Sequence, residues 1–126
     1  MILVDTSVWI DFFAGRDVPH VAALEQFIKD NQDLALCRII LTEILQGIGD
    51  DATHQRVRRH LRPLIMLPMP VAVFERGAEI YRTLRKHGIT IRKTNDCIIA
   101  ATALEHQCRL FHNDRDFLCP SPSTFH

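Results

Sequence analysis

A chain of 126 residues with 15 basic and 15 acidic side chains has no formal net charge, and 47% of it is apolar. That length supports one domain around a single core, and the balance excludes bulk electrostatic attraction to a polyanion. No apolar run approaches the roughly 20 residues of a membrane span, and no signal-like leader precedes the first strand-like segment; a cytosolic protein is expected.

The run Ile2-Leu3-Val4 has the composition of a strand buried on both faces and ends on a carboxylate, Asp5. Residues 7–13 are apolar at helical spacing and stop near Gly15, so a short helix follows directly. Asp17 and Pro19 open a second helix, with proline in its first turn, and Val21, Leu24, Phe27 and Ile28 form its buried stripe. Residues 34–37 read as a second strand. A helix from about Ile40 carries Thr42, Glu43, Ile44 and Leu45 and ends at Gly47 and Gly49. Asp50 or Asp51 caps a basic helix that runs to Leu61 and is closed by Pro63.

Residues 65–67 form a third strand between prolines, and residues 71–87 a long helix ending at Gly88. Ile89-Thr90-Ile91 fits a turn or a strand fragment. Thr94-Asn95-Asp96 opens a mostly apolar helix whose small residues suit close packing on a sheet. Residues 109–112 form the last clear strand, and Asn113 to Phe117 a loop or helix start. One domain over residues 1–118 and a loosely ordered tail over 119–126 are expected, the tail from its prolines and serines. Strands alternating with helices predict an α/β fold, three-layer α/β/α, around a central, mostly parallel sheet.

The cysteines (Cys37, Cys97, Cys108, Cys119) have no C-x-x-C spacing, and the first three lie in apolar stretches where a thiol acts as a small hydrophobe. The histidines show no metal-binding spacing; His112 alone falls beside the acids described next. Nine of the fifteen basic residues lie in two segments, Arg56 to Arg62 and Arg82 to Lys93, so a neutral chain can still present a basic face. Solvated helix faces account for them equally well.

Most acids have plain explanations. Glu25, Glu75, Glu79 and Glu105 suit polar helix faces, Asp30, Asp33, Asp50 and Asp51 suit turns and caps, and Asp11 falls opposite Trp9 and Phe12 on its helix. Five differ: Asp5 at a strand end, Glu43 within an apolar turn, Asp96 in the first turn of a buried helix, and Asp114 and Asp116 after the last strand. A parallel sheet brings strand C-termini and helix N-termini to one edge. Carboxylates gathered there repel one another, and a divalent cation resolves the repulsion, oxygen-only donors selecting Mg2+ or Mn2+ over zinc. Independent caps and surface acids remain the alternative; Asp5 by itself reads as a helix N-cap.

Four motifs in order, Val4-Asp5-Thr6-Ser7, Glu43 in Leu-Thr-Glu-Ile, Thr94-Asn95-Asp96 and Asn113-Asp114-Arg115-Asp116-Phe117, resemble the PIN-domain ribonucleases, and the length and order resemble the VapC toxins of toxin–antitoxin pairs. The resemblance implies Mg2+- or Mn2+-dependent cleavage of RNA, often tRNA or ribosomal RNA. It implies Asp5 and Asp96 as principal metal ligands, Glu43 and Asp114 completing the catalytic quartet, and Asp116 as a further acid. Thr6 and Asn113 would orient carboxylates, and Arg92 and Lys93 are candidates for gripping an RNA phosphate. Further implied are an antitoxin whose C-terminal segment blocks the site, a homodimer and a toxin–antitoxin hetero-oligomer. Trp9, Phe12 and Phe13 suit either a groove for that segment or the core. The tail, Leu-Cys-Pro-Ser-Pro-Ser after Phe117, departs from the short apolar ending of many related toxins.

Two other enzyme classes and a binding module share part of this pattern. A haloacid-dehalogenase-type phosphatase needs a second acid two residues after the first, where this chain has Ser7. A structure-specific DNA nuclease shares the chemistry, but this chain has no extra domain for gripping a duplex. A non-catalytic metal-binding α/β module of the receiver kind needs a phosphoacceptor at the end of a later strand and a downstream lysine, and neither is found.

Overall fold

A computed structural model describes residues 1–89 and 93–112, and the backbone of 116–117. The elements in chain order are β1 (Ile2–Val4), α1 (Thr6–Phe13), α2 (Pro19–Lys29), β2 (Leu34–Leu36), α3 (Arg38–Gln46), α4 (Asp51–Leu61), β3 (Ile65–Met66), α5 (Val71–Lys86), α6 (Thr94–Glu105), β4 (Arg109–Phe111) and β5 (Asp116–Phe117). The strands form one sheet in the order β3-β2-β1-β4-β5. The first four run parallel, and β5 pairs antiparallel with β4.

β1 is central because it is apolar on both faces: Ile2, Leu3 and Val4 are all buried. From it the chain steps one way to β2 and β3, then returns to β1's other side as β4. The C-terminal ends of β1 and β4 therefore flank the point where strand order reverses, the place where open α/β sheets bind ligands. Asp5 and His112 stand at those two ends.

The main core joins the sheet to Val8, Trp9, Leu24, Ile40, Ile44, Val57 and Leu61. A second cluster of Val73, Ile80, Cys97, Ala101 and Leu104 binds α5 to α6. α6 is buried over much of its circumference, including Ile99, Thr102 and Ala103, which explains its mostly apolar sequence. Gly77 admits the close approach of α5: a Cβ there would lie 3.1 Å from Ile98 Cγ1 and 3.2 Å from Ile98 Cα.

Several expectations need correction. Cys37 is not part of β2 but the residue before α3, which starts at Arg38 rather than Ile40. Asp116 and Phe117 form an edge strand rather than a loop or helix start, because β4 has an open edge to pair with. Asp11, opposite Trp9 and Phe12 on the helix wheel, has partners that its own helix does not show. It is largely buried at the α1–α2 junction, where His20 Nε2 lies 2.6 Å from Oδ2 and Arg16 Nε 3.6 Å from Oδ1. The antiparallel return of α2 supplies those partners, which a single-helix wheel omits. Cys37 and Cys97 are buried free thiols, and Cys108 is buried with its thiol donating to the His106 carbonyl at 3.5 Å. Thr90 and Ile91, Arg92, Asn113, Asp114, the side chain of Asp116, and the tail fall outside the described residues. No helix among the described residues is long and apolar enough to cross a membrane.

Candidate active site

Asp5 ends β1 and immediately precedes α1, with extended backbone angles suited to an N-cap (φ −67°, ψ 157°). Its carbonyl accepts from the amides of Val8 and Trp9 at 3.2 and 3.4 Å, so its backbone starts the helix. Its side chain makes no cap hydrogen bond. Asp50 shows the contrast: there the carboxylate accepts from the Thr53 amide at 2.8 Å and the Thr53 hydroxyl at 2.6 Å. Capping thus explains Asp50 and leaves the carboxylate of Asp5 for other work. Asp5 is only 9% exposed, and a buried charge needs partners.

The partners come from around the sheet edge. Ser7 Oγ donates to Asp5 Oδ2 at 3.1 Å, and His112 Nε2 at the end of β4 lies 3.6 Å from the same oxygen. Glu43, half-buried on α3, accepts at Oε1 from the Thr6 hydroxyl at 2.7 Å. Asp96, in the first turn of α6, stays solvent-accessible, yet its carboxyl is held above the ordinary value. Partial burial is the larger cause, followed by the negative charge of Asp5; Glu43 adds to it, while Lys93 and His112 act the other way. The helix N-terminus favours an ionised Asp96, so the neighbouring acids and desolvation outweigh it. Beneath them the thiol of Cys37 is pushed up by burial above all, with Glu43 and Asp5 contributing.

Asp5, Glu43 and Asp96 therefore share one electrostatic neighbourhood although they come from three elements. Lys93 is exposed at the start of α6. The donors fit a hard divalent cation in kind, being carboxylate oxygens. Among the described residues no three His, Cys, Asp or Glu side chains stand close enough to hold an ion.

Two features escaped the sequence reading. Ser7 supports Asp5, and its signal was a hydroxyl two residues after the acid. Cys37 underlies two of the acids; nothing local marks it, since β2 and α3 place it there. Trp9 belongs to the core at 3% exposure, its ring stacked on Phe13 at 5.8 Å. Phe13 also lines an apolar hollow of about 320 Å3 with Ile10, Ile44 and Ile48. Ile10 and Gly47 in its lining stand one helical turn beyond Thr6 and Glu43, so the hollow adjoins the acids.

A family model described as PIN domain matches residues 2–118. The chain is 40% identical over 121 residues to ribonuclease VapC11 of Mycobacterium tuberculosis, covering 93% of this chain and 89% of that protein. A toxin–antitoxin complex from Klebsiella pneumoniae superposes with a TM-score of 0.72 at 26% identity, over 93% of this chain and 90% of that one. VapBC2 from Rickettsia felis, solved with a promoter DNA fragment, shares the fold with a TM-score of 0.70 at 21% identity, over 87% and 85% of the two chains. A parallel sheet that brings Asp5, Glu43 and Asp96 to one edge, in a chain this similar, belongs to the PIN-domain family, among the VapC ribonucleases.

Proposed function

We propose that this protein is a Mg2+-dependent endoribonuclease, with Mn2+ as an alternative ion, and the toxin of a toxin–antitoxin pair. The observation that carries the reading is the placement of three acids at one sheet edge: Asp5 after β1 with its carboxylate free of capping, Glu43 of α3 tied to Thr6 at 2.7 Å, and Asp96 in the first turn of α6. Asp5 and Glu43 help hold the Asp96 carboxyl above its ordinary value, a crowding that a divalent cation relieves. Asp5, Asp96, Glu43 and Asp114 would hold it, with Asp116 as a further acid. When bound, such an ion polarises a phosphate and supplies hydroxide at neutral pH.

The chain's own residues do the positioning. β1 holds Asp5 rigidly at the edge, and Ser7 fixes the orientation of its carboxylate. Thr6 fixes Glu43 for binding the ion or orienting the attacking water, and Asn113 would do the same for the last acids. Arg92 and Lys93 would grip a phosphate beside the scissile one. In-line attack by water would leave a 3′-hydroxyl and a 5′-phosphate. The named ribonuclease relative supports RNA over DNA as the substrate, tRNA or ribosomal RNA by the family resemblance. The solved toxin–antitoxin complexes support an antitoxin partner; a homodimer and a hetero-oligomer with that antitoxin are what the family resemblance implies. The apolar hollow beside Phe13 suits an apolar side chain of the inhibiting segment.

Incubating the protein with RNA and DNA oligonucleotides, with and without EDTA, tests this. RNA cleavage that needs the metal and vanishes in Asp5→Asn is expected. Preferential DNA cleavage would turn the reading to a DNA nuclease; Mn2+ binding without cleavage of either would make it a non-catalytic module.

A further inference from the structure

We propose that the last turn of α5, through Arg85 and Lys86 with Lys93 beside it, is a phosphate-binding ramp for the RNA strand that enters the acidic site; this rests on the nuclease reading above. Two contacts place that turn. Gly77 of α5 abuts Ile98 of α6, and beyond the far end of α6 His106 Nε2 meets the Pro68 carbonyl at 2.8 Å, just before α5 begins. Together they set an antiparallel register with Arg82 level with Lys93 and Glu79 level with Asp96. Arg85 and Lys86 then lie roughly 9 and 10.5 Å beyond Asp96 along the helix axis at 1.5 Å per residue. The basic end of α5 is thus carried to the edge of the acids, although ten residues or more separate it from Asp96 in sequence.

Among the described residues, Arg85 and Lys86 have no ion-pair partner. Arg82, Arg85 and Lys86 stand at i, i+3 and i+4, on one face of the helix. Arg82 is paired with Glu79 at 2.9 Å. Arg85, Lys86 and Lys93 are exposed. They are not needed as caps either: the His87, Gly88 and Ile89 amides already bond the Thr83, Arg85 and Leu84 carbonyls, the turn being made at Gly88 with φ +73°. An acidic site that must accept a polyanion gains from cations placed where the neighbouring phosphates lie. The other basic segment has a different setting. α4 packs on α3, and its Arg58 and Arg62 border an apolar hollow with Leu36, Leu41, Leu45 and Met66.

The test uses full-length protein carrying Asp5→Asn, so that RNA is bound and not cut, with a single-stranded RNA oligonucleotide titrated across salt concentrations in EDTA. Adding Arg85→Gln and Lys86→Gln should weaken binding at low salt. It should also flatten the slope of log affinity against log salt by about 1.4, at about 0.7 for each single-strand phosphate that no longer meets a cation. Arg56→Gln with Arg59→Gln on α4 should leave the slope unchanged. A slope unmoved by the α5 pair, or flattened equally by the α4 pair, would overturn the ramp. Parent protein that neither binds nor cleaves RNA would instead sink the nuclease reading. Thermal melting separates these outcomes from a fold defect: a role confined to the helix dipole would shift Tm without moving the slope.

Discussion

The Thr6 hydroxyl donates to Glu43 Oε1 at 2.7 Å across 37 residues of sequence. It ties the first turn of α1 to the middle of α3 and fixes one oxygen of the acid that no other described side chain orients. Both groups are partly buried, where a hydrogen bond to a charged acceptor contributes more than on the surface.

Thr6→Val removes that donor while keeping the shape. Cleavage or metal affinity should fall about 10–100-fold, the usual cost of losing a group that orients a ligand. Thr6→Ser should restore most of it. Rates measured against Mg2+ concentration would show the loss; equal rates for Val and Thr would remove Thr6 from the site.

Asp96→Asn should abolish cleavage and raise the stability of the metal-free protein at neutral pH. Burial, then Asp5, raises the Asp96 carboxyl in the folded state. A raised carboxylate adds stability below its unfolded value and loses it as pH rises through the folded one. The melting advantage of the variant should therefore be seen at pH 7 and fade toward pH 3. Mg2+ should raise Tm in the parent and much less in the variant. A variant less stable than the parent at pH 7 would contradict the crowding of acids.

Asp50 predicts the opposite sign. The Thr53 hydroxyl, then its amide, holds the Asp50 carboxyl below its ordinary value. Its stabilisation is present above the unfolded value and lost as pH falls through the folded one. Asp50→Ala should lower Tm at pH 7, with the difference closing in acid, and should leave cleavage intact. Melting curves at both pH values decide it.

Gly77→Ala sets two effects against each other. Alanine favours a helix interior over glycine by about 0.8–1 kcal/mol. Against that, the new methyl meets Ile98 at 3.1 Å on the side chain and 3.2 Å on the backbone, and the backbone cannot rotate away. Overpacking of this kind costs about 1–3 kcal/mol, so the variant should be less stable in urea melts. Because Ile98 lies two residues from Asp96, metal affinity should fall as well. Val73→Ala, in the same cluster but away from that turn, should lower stability while leaving metal affinity unchanged.

Local chemistry made most elements legible. Continuous apolar runs marked β1 and β2, Pro19 opened α2, Gly88 closed α5, and an acid at 50 or 51 capped α4, the structure choosing Asp50. The same local logic gave Asp11 no partner and read Asn113 to Phe117 as a loop or helix start, whereas Asp11 meets His20 and Asp116–Phe117 form a strand. Each depends on a partner distant in sequence: His20 returning on α2 for Asp11, and the open edge of β4 for Asp116 and Phe117.

At Asp5 the division is clearest. The sequence by itself determined that an apolar strand ends on a carboxylate and that a helix starts there, because burial and capping preferences act over a few residues. It left undecided whether that carboxylate caps the helix. Only the tertiary structure decided: the side chain makes no cap bond, and His112 from β4 and the acids Glu43 and Asp96 share its sheet edge. Charges act through space, so the setting of an acid depends on which distant elements the sheet order makes neighbours.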